Sequence, residues 1–337
     1  MAYRGELIGE HPSIEQTRAL ISKIARSPAS SVLIYGETGT GKGVVARMLH
    51  QQSSRSAQEF VDINCAAIPS DLLESELFGH EKGAFTGAVT RKNGLVETAD
   101  GGTLFMDEIR DLDLVRQAKL LSFLDTQEYR RVGSVTPIHV DVRFIAATNR
   151  ILYREVLDGR FRDDLYFRLQ VVSLNIPPLR ERGDDCLVLT EYFLRKFNTR
   201  YDRSISGWEP AVADIFRAYH WPGNVRELEN LLERIFILEE DNKILVRHIP
   251  DRILREVDRP QARKAVATGQ VQGFDYDGLS FHDATEQLHR TMIESALARN
   301  RHNITDTAAA LGLSRHSLRH HMLKLGLQST SDAEDSA

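Results

Sequence analysis

Residues 36–43 read GETGTGKG. Gly36, Gly39 and Gly41 allow the backbone to wrap closely around phosphate oxygens, with its N–H groups turned inward. Lys42 adds a point charge suited to β- and γ-phosphates. The general phosphate-loop pattern ends in a Ser or Thr that holds magnesium; here that position is Gly43. A second constellation is GGTLFMDE, residues 101–108. Its apolar run delivers Asp107, suited to orienting magnesium through water, and Glu108, suited to activating the water that attacks a γ-phosphate. On its own, such a pair also describes two solvated acids at a strand end. Asn149 closes DVRFIAATN (141–149). An amide there could sense a γ-phosphate or could form a turn.

These groups need elements that bring them to one edge. SVLIY (31–35) before the Gly-rich stretch and GVVARMLHQQ after it read as strand, turn and helix. Further short strands are expected at FVDIN (60–64), GTLFMD (102–107) and DVRFIAATN, with helices between them, notably LVRQAKLLSFLD (114–125). Strands alternating with helices indicate a parallel sheet covered on both faces, with ligands beyond the carboxyl ends of its strands. Residues 12–27 read as a helix opened by Pro12. The fold class is therefore α/β, a P-loop parallel sheet flanked by helices over residues 1–183.

From 184 to 250 the strand signals fade and three helical patterns follow, a lid-like helical subdomain. Residues 251–280 read as a linker, 281–327 as a helical module and 328–337 as a polar, acidic tail. Within 303–327, NITDTAAALGLSRHSLRHHMLKLGL reads as helix, turn at Gly312, and a second helix capped by Ser314. Arg315, His316, Ser317, Arg319 and His320 fall on or near one face, while Leu318, Met322 and Leu325 face the core. Between Arg299 and Lys324 the chain carries five Lys or Arg against one acid, Asp306. The reading is a DNA-binding helix-turn-helix, with a dimerisation module as the alternative.

The whole chain has 337 residues and a formal charge of −5, so any DNA-binding field must be local. Its two cysteines exclude a disulfide framework and most structural zinc sites. No apolar run is long enough to span a membrane, so a cytoplasmic protein with no membrane partner is expected.

ELFGHEKGAFTGA (76–88) carries a specific resemblance. Its GAFTGA motif, Gly83, Ala84, Phe85, Thr86, Gly87 and Ala88, resembles that of the sigma-54-dependent transcriptional activators, members of the AAA+ ATPases. GETGTGK, NCAAI (64–68), GGTLFMDEI, FRDDLYFRL (161–169), PPLRER (177–182) and WPGNVREL (221–228) agree, and the resemblance spans roughly residues 6–250. The C-terminus is similar to a Fis-type helix-turn-helix, though His316, His320 and His321 depart from the usual residues. Relatives usually carry Glu where this chain has Gly43.

The resemblance implies ATP and Mg2+ as cofactors. Gly36, Glu37, Thr38, Gly39, Thr40, Gly41, Lys42 and Gly43 would bind the nucleotide, with Asn149 as sensor I and Arg226 as sensor II. Asp107 and Glu108 would be the Walker B pair and Asn64 a switch residue paired with Glu108. Arg162 and Arg168 would be fingers reaching a neighbouring subunit's nucleotide. On the residues alone, they read as solvated charges or as partners of Asp163 and Asp164. The six GAFTGA residues would contact sigma-54, with EYRRVGS (128–134) as a supporting hairpin; otherwise the loop is a Gly-rich connection with Phe85 packed inward. Ser314, Arg315, His316, Ser317, Arg319 and His320 would read enhancer DNA. The expected partners are the sigma-54 RNA polymerase holoenzyme, enhancer DNA and a homo-hexameric ring. Many members carry a regulatory domain before the ATPase. Either such a domain lies outside this sequence or a trans-acting regulatory protein controls the chain. The competing readings are a DNA-binding regulator without remodelling activity and a general AAA+ protein remodeller.

Overall fold

Five short β-rich segments alternate with helices and assemble one parallel sheet in a computed structural model of the chain. The structure describes residues 6–257 and, beyond them, 290, 293–297, 300, 303–310, 318, 322 and 327. Two units result, Met1–Asp258 and Arg259–Ala337.

In the first unit α1 (Pro12–Ala25) starts at Pro12, where a missing N–H is harmless, with His11 as its N-cap. β1 (Ser31–Tyr35) runs into the Gly-rich loop, which opens α2 (Lys42–Gln51). β2 (Phe60–Asn64) and α3 (Ser70–Phe78) follow, then a short antiparallel pair, β3 (Gly79–His80) and β4 (Lys92–Asn93), that brackets GAFTGA. Next come α4 (Leu95–Thr98), β5 (Thr103–Asp107), α5 (Leu114–Thr126) and a second hairpin, β6 (Glu128–Tyr129) with β7 (Ile138–His139). β8 (Arg143–Thr148), α6 (Leu152–Leu157), α7 (Asp163–Leu169) and β9 (Ser173–Asn175) complete the α/β part.

The sheet order is β2-β5-β8-β1-β9, and every neighbouring pair is parallel. Side chains alternate between faces along each strand. Val32, Ile34, Phe105, Ile145 and Ala147 join the core under α1 and α2. Leu33, Leu104, Met106, Phe144 and Ala146 join the core under α3, α5 and α7. Both faces are buried, as a parallel sheet requires. The register sets Tyr35 beside Thr148 and Asn64 beside Asp107. The carboxyl ends of β1, β2, β5 and β8 therefore share one edge, and the chain leaves the neighbouring strands β1 and β8 toward opposite faces of the sheet, which opens the crevice where ligands sit.

Four helices form the lid: α8 (Asp185–Tyr201), α9 (Pro210–Ala218), α10 (Asn224–Leu238) and α11 (Asp251–Val257). Leu228, Leu231, Leu232, Ile235 and Phe236 make a helical stripe on α10, packed with Phe197, Phe216 and Trp221. Trp221 is fully buried, and its indole N–H donates to Phe216 O at 2.8 Å. One boundary is corrected: the linker was expected from 251, but residues 251–257 are helical. The physical reason is Ile253, which is fully buried in the lid core. The rest of that segment lies outside the described residues.

In the second unit Ile293, Leu297, Ile304, Ala308, Leu318 and Met322 are buried together. α12 (Ile304–Ala310) starts after Asn303, whose side chain accepts from Thr305 N and Asp306 N. Leu318 and Met322 are both helical and buried, as expected for the second helix. Ser314, Arg315, His316, Ser317, Arg319 and His320 lie outside the described residues. Among the described residues no helix is long and apolar enough to cross a membrane.

Candidate active site

Gly39 and Gly41 hold the loop after β1 in a left-handed backbone, at φ 81° and 104°. Gly39 also has no room for a side chain, because a Cβ would lie 2.2 Å from Gly223 O of the lid. Lys42 is 6% exposed, and its Nζ donates to Gly36 O at 3.0 Å and lies 3.4 Å from Glu108 Oε1. Asp107 ends β5, and its Oδ1 accepts from Glu108 N at 3.1 Å. Glu108 is left-handed (φ 54°, ψ 49°), which costs a non-glycine residue roughly 1–2 kcal/mol. That strain turns its carboxylate back toward the loop. Its Oε2 accepts from Asn149 N at 3.3 Å. Asn149 Nδ2 donates to Thr38 Oγ1 at 3.2 Å, and its Oδ1 is buried without a partner.

Lys42, Asp107 and Glu108 line one cleft of about 350 Å³ between sheet edge and lid, and Asn149 is bonded to Thr38 and Glu108 of that lining. Thr38, Gly39, Thr40, Gly41, Lys42 and Gly43 form its floor, Asp107 and Glu108 one side, and Arg226 another. Arg226 is exposed there, and among the described residues no acid pairs with it. Leu7, Ile8, Leu189 and Val225 add an apolar wall. The larger groove, about 640 Å³, lies by α3, α5 and the second hairpin and contains none of the nominated phosphate-binding residues. Gly43 is helical, and a Cβ on it would meet only Phe105 at 3.9 Å.

One nominated residue stands differently from expectation. Asn64 does not reach Glu108; its Oδ1 accepts from Ala66 N at 3.0 Å, because the chain turns sharply after β2. Glu108 is instead engaged by Lys42 and Asn149. Arg162 and Arg168, expected to reach a neighbouring subunit's nucleotide, line no part of this chain's own cleft. Arg162 pairs with Asp164 at 2.6 Å, and Arg168 lies 2.9 Å from Asp125 and donates to Leu124 O. Glu37 belongs to the loop, but its carboxylate turns to Arg180 and Asn224, at 2.6–3.2 Å. Arg180, Arg182 and Asn224 were not nominated. PPLRER and WPGNVREL contain them, yet nothing local in those segments shows that they reach the loop.

GAFTGA forms a tight loop in which Gly83 N donates to Ala88 O and Ala88 N to Phe85 O. Gly83 and Gly87 are left-handed, at φ 81° and 102°. Thr86 is exposed and Phe85 is 40% exposed, its ring edge-on to His80 at 5.0 Å. The second hairpin packs here: Glu81 N donates to Val132 O, and Val132 N to Gly79 O.

Comparison with known proteins decides the family. Residues 7–175 match the sigma-54 interaction domain, 180–266 the AAA+ ATPase lid domain and 285–325 the Fis family of bacterial regulatory proteins. The chain belongs to the sigma-54-dependent transcriptional activators. It is 41% identical to the regulatory protein AtoC of Escherichia coli (strain K12) over 324 residues, covering 96% of this chain and 68% of AtoC. It is 43% identical to the response regulator PilR of Pseudomonas aeruginosa over 321 residues, covering 95% of this chain and 70% of PilR. A solved structure of NtrX from Brucella abortus in complex with ATP superposes with a TM-score of 0.68 at 32% identity, covering 95% of this chain and 69% of NtrX. The activator is thus an AAA+ ATPase joined to a DNA-binding module of the Fis type.

Proposed function

We propose that this activator binds upstream DNA, assembles as a hexameric ring and couples ATP hydrolysis to remodelling of the closed sigma-54 polymerase complex. The observation that carries the reading is the convergence of Lys42, Asp107, Glu108 and Arg226 on one cleft beside a lid, with Asn149 bonded to Glu108. ATP phosphates would take the loop N–H groups and Lys42, and the base would meet the apolar wall. Magnesium would neutralise phosphate charge when bound. Asp107 fits it: one carboxylate oxygen is free of protein partners among the described residues, a hard donor for a hard ion. Glu108 would orient and deprotonate the attacking water.

The ring reading rests on α6 and α7. Ile151, Tyr153, Leu157 and Phe167 are each about half exposed or more, an apolar surface of the kind that marks an interface. Arg162 and Arg168 stand on the same segment. Against a neighbouring copy in a head-to-tail contact they would exchange their acids for phosphate, and closure of that contact gives a ring. An Arg supplied in trans makes hydrolysis depend on assembly. The exposed Thr86 and Phe85 would carry the motion to sigma-54.

The test is ATP-dependent open-complex formation on a sigma-54 promoter. Thr86→Ala should hydrolyse ATP at the parental rate yet open no promoter. Normal opening by Thr86→Ala would refute the assigned role of the loop.

A further inference from the structure

An acid inside a phosphate-binding loop is electrostatically adverse, because its charge has the sign of the ligand. Glu37 is such an acid. The structure answers with Arg180, whose guanidinium engages both carboxylate oxygens, at 2.6 and 2.8 Å. Such forked, charge-assisted pairs are the strong hydrogen bonds of proteins. Arg180 also holds the Glu37 carboxyl below the usual range, so the pair stays ionised at working pH.

Asn224 completes the contact. It is fully buried and left-handed at φ 50°, a conformation Asn tolerates better than most residues. Its Nδ2 faces Glu37 Oε2 at 3.2 Å and Thr38 O at 3.1 Å, while its Oδ1 accepts from Leu179 N at 2.7 Å. Two further bonds follow along the loop. Arg226 N donates to Gly39 O, and Arg182 Nη2 donates to Thr40 O. Four consecutive loop residues, 37–40, are therefore tied to the lid or to the segment that leads into it. The Gly223 carbonyl fills the space above Gly39, so the loop has no slack toward the lid.

We propose that Glu37, Arg180 and Asn224 are positioning residues that latch the phosphate loop to the lid, so that lid orientation sets the affinity for ATP. None of the three residues lines the cleft itself. The latch rests on the ATP-site reading above. It predicts a specific electrostatic asymmetry. Removing Arg180 exposes an unneutralised carboxylate beside the phosphates; removing the Glu37 charge does not.

The experiment is calorimetric titration of the full chain with ATP, alongside steady-state hydrolysis. Arg180→Ala should weaken binding about tenfold or more, the scale of a lost charge-assisted pair, with kcat at saturating ATP changed less than about threefold. Glu37→Gln alone keeps one of the two bonds from Arg180 and exposes no charge, so it should bind more weakly than the parent but more tightly than Arg180→Ala. The double variant Glu37→Gln with Arg180→Ala lacks both the exposed carboxylate and the latch, so it should recover only the electrostatic part of the loss and stay several-fold weaker than the parent, and Arg180→Lys should fall between parent and Arg180→Ala. Arg180 is about one-third exposed, so these variants keep the fold. Parental affinity in Arg180→Ala, or full recovery of parental affinity in the double variant, would overturn the latch alone. Failure of the parent chain to bind ATP would overturn the latch together with the reading it rests on.

Discussion

Glu108 Oε1 lies 3.4 Å from Lys42 Nζ, and both side chains are largely removed from solvent. The acid proposed to activate water and the cation proposed to hold phosphate thus neutralise each other across the cleft. A buried ion stripped of its partner is costly, so the two substitutions should differ. Lys42→Ala leaves the Glu108 charge facing the phosphate position with only Arg110, 3.9 Å away, to offset it. ATP binding should fall at least about tenfold, or 1.4 kcal/mol. Glu108→Gln keeps the shape and removes the competitor for Lys42. ATP should bind as tightly as before or more so, while hydrolysis drops by about 10²–10⁴. Calorimetry and phosphate release measure the two effects separately, and weaker ATP binding by Glu108→Gln would contradict the assigned roles.

Gly43 stands in the first turn of α2 with room beside it. Its backbone is helical, and a Cβ meets only Phe105 at ordinary contact distance. Gly43→Ala should therefore stabilise the chain by about 0.5–1 kcal/mol, chiefly by restricting the unfolded backbone. Calorimetric melting should show an increase of a few degrees. Gly43→Glu places an acid where the helix dipole favours one, and its ATPase rate should stay within a few-fold of the parent. A large loss would show that Gly43 shapes the phosphate cradle through its missing side chain.

The loop and acidic pair were legible because their signals are local: strand, glycines and lysine, then apolar run and two acids. The continuous burial of Val32, Leu33 and Ile34 was likewise written in the apolar run of SVLIY. Contacts between distant segments were not. Glu37 meets Asn224 across 187 residues and Arg180 across 143, and no periodicity encodes such a pairing. β9 also escaped notice, being three residues long with a single fully buried side chain, Leu174. Asn64 shows the opposite limit. Its motif was recognised, but the side chain turns to its own loop, a choice made by the tight turn after β2.

Cys65 and Cys186 are both buried and unpaired. Burial pushes the Cys65 thiol up to about 12 and that of Cys186 up to about 11. Reactivity follows the thiolate, so Ellman's reagent at about pH 8 should release no chromophore until denaturant is added. The sign also fixes alkaline behaviour. Folded values above the unfolded value of 9.0 mean that each thiol's contribution is full below that pH. It is lost as pH rises toward 11–12. Rapid native-state labelling would show that one thiol is open to solvent.

Residues 1–258 carry their own cores in sheet and lid, separate from the cluster of Ile293, Ile304, Leu318 and Met322. Deleting residues 281–337 should therefore spare ATPase activity at high protein concentration and abolish site-specific DNA binding. In the full chain, DNA affinity should fall linearly on a log–log plot against salt, because phosphate contacts release counterions. Gel-shift titrations at several salt concentrations measure both effects, and retained operator binding after the deletion would contradict the assignment of this module.

Gly133 belongs to the second hairpin and touches the GAFTGA loop. Its φ is 82°, and a Cβ built there would lie 2.8 Å from the Ala84 Cβ. Gly133→Ala therefore meets both backbone strain and a clash, and the two loops must separate. The bonds joining Glu81, Val132 and Gly79 lie beside this contact and should weaken with it. Nothing in the nucleotide cleft involves Gly133, so ATP binding should be unchanged. Sigma-54 binding in the presence of a γ-phosphate mimic should fall, because the loop loses the support that orients Phe85 and Thr86. Gly101→Ala provides the matched control. It sits at φ 73° with only Gln58 at 3.9 Å, so it carries similar backbone strain without a clash in the loop. Equal loss of sigma-54 binding in both variants would trace the effect to general destabilisation; loss confined to Gly133→Ala would place it at the contact with Ala84.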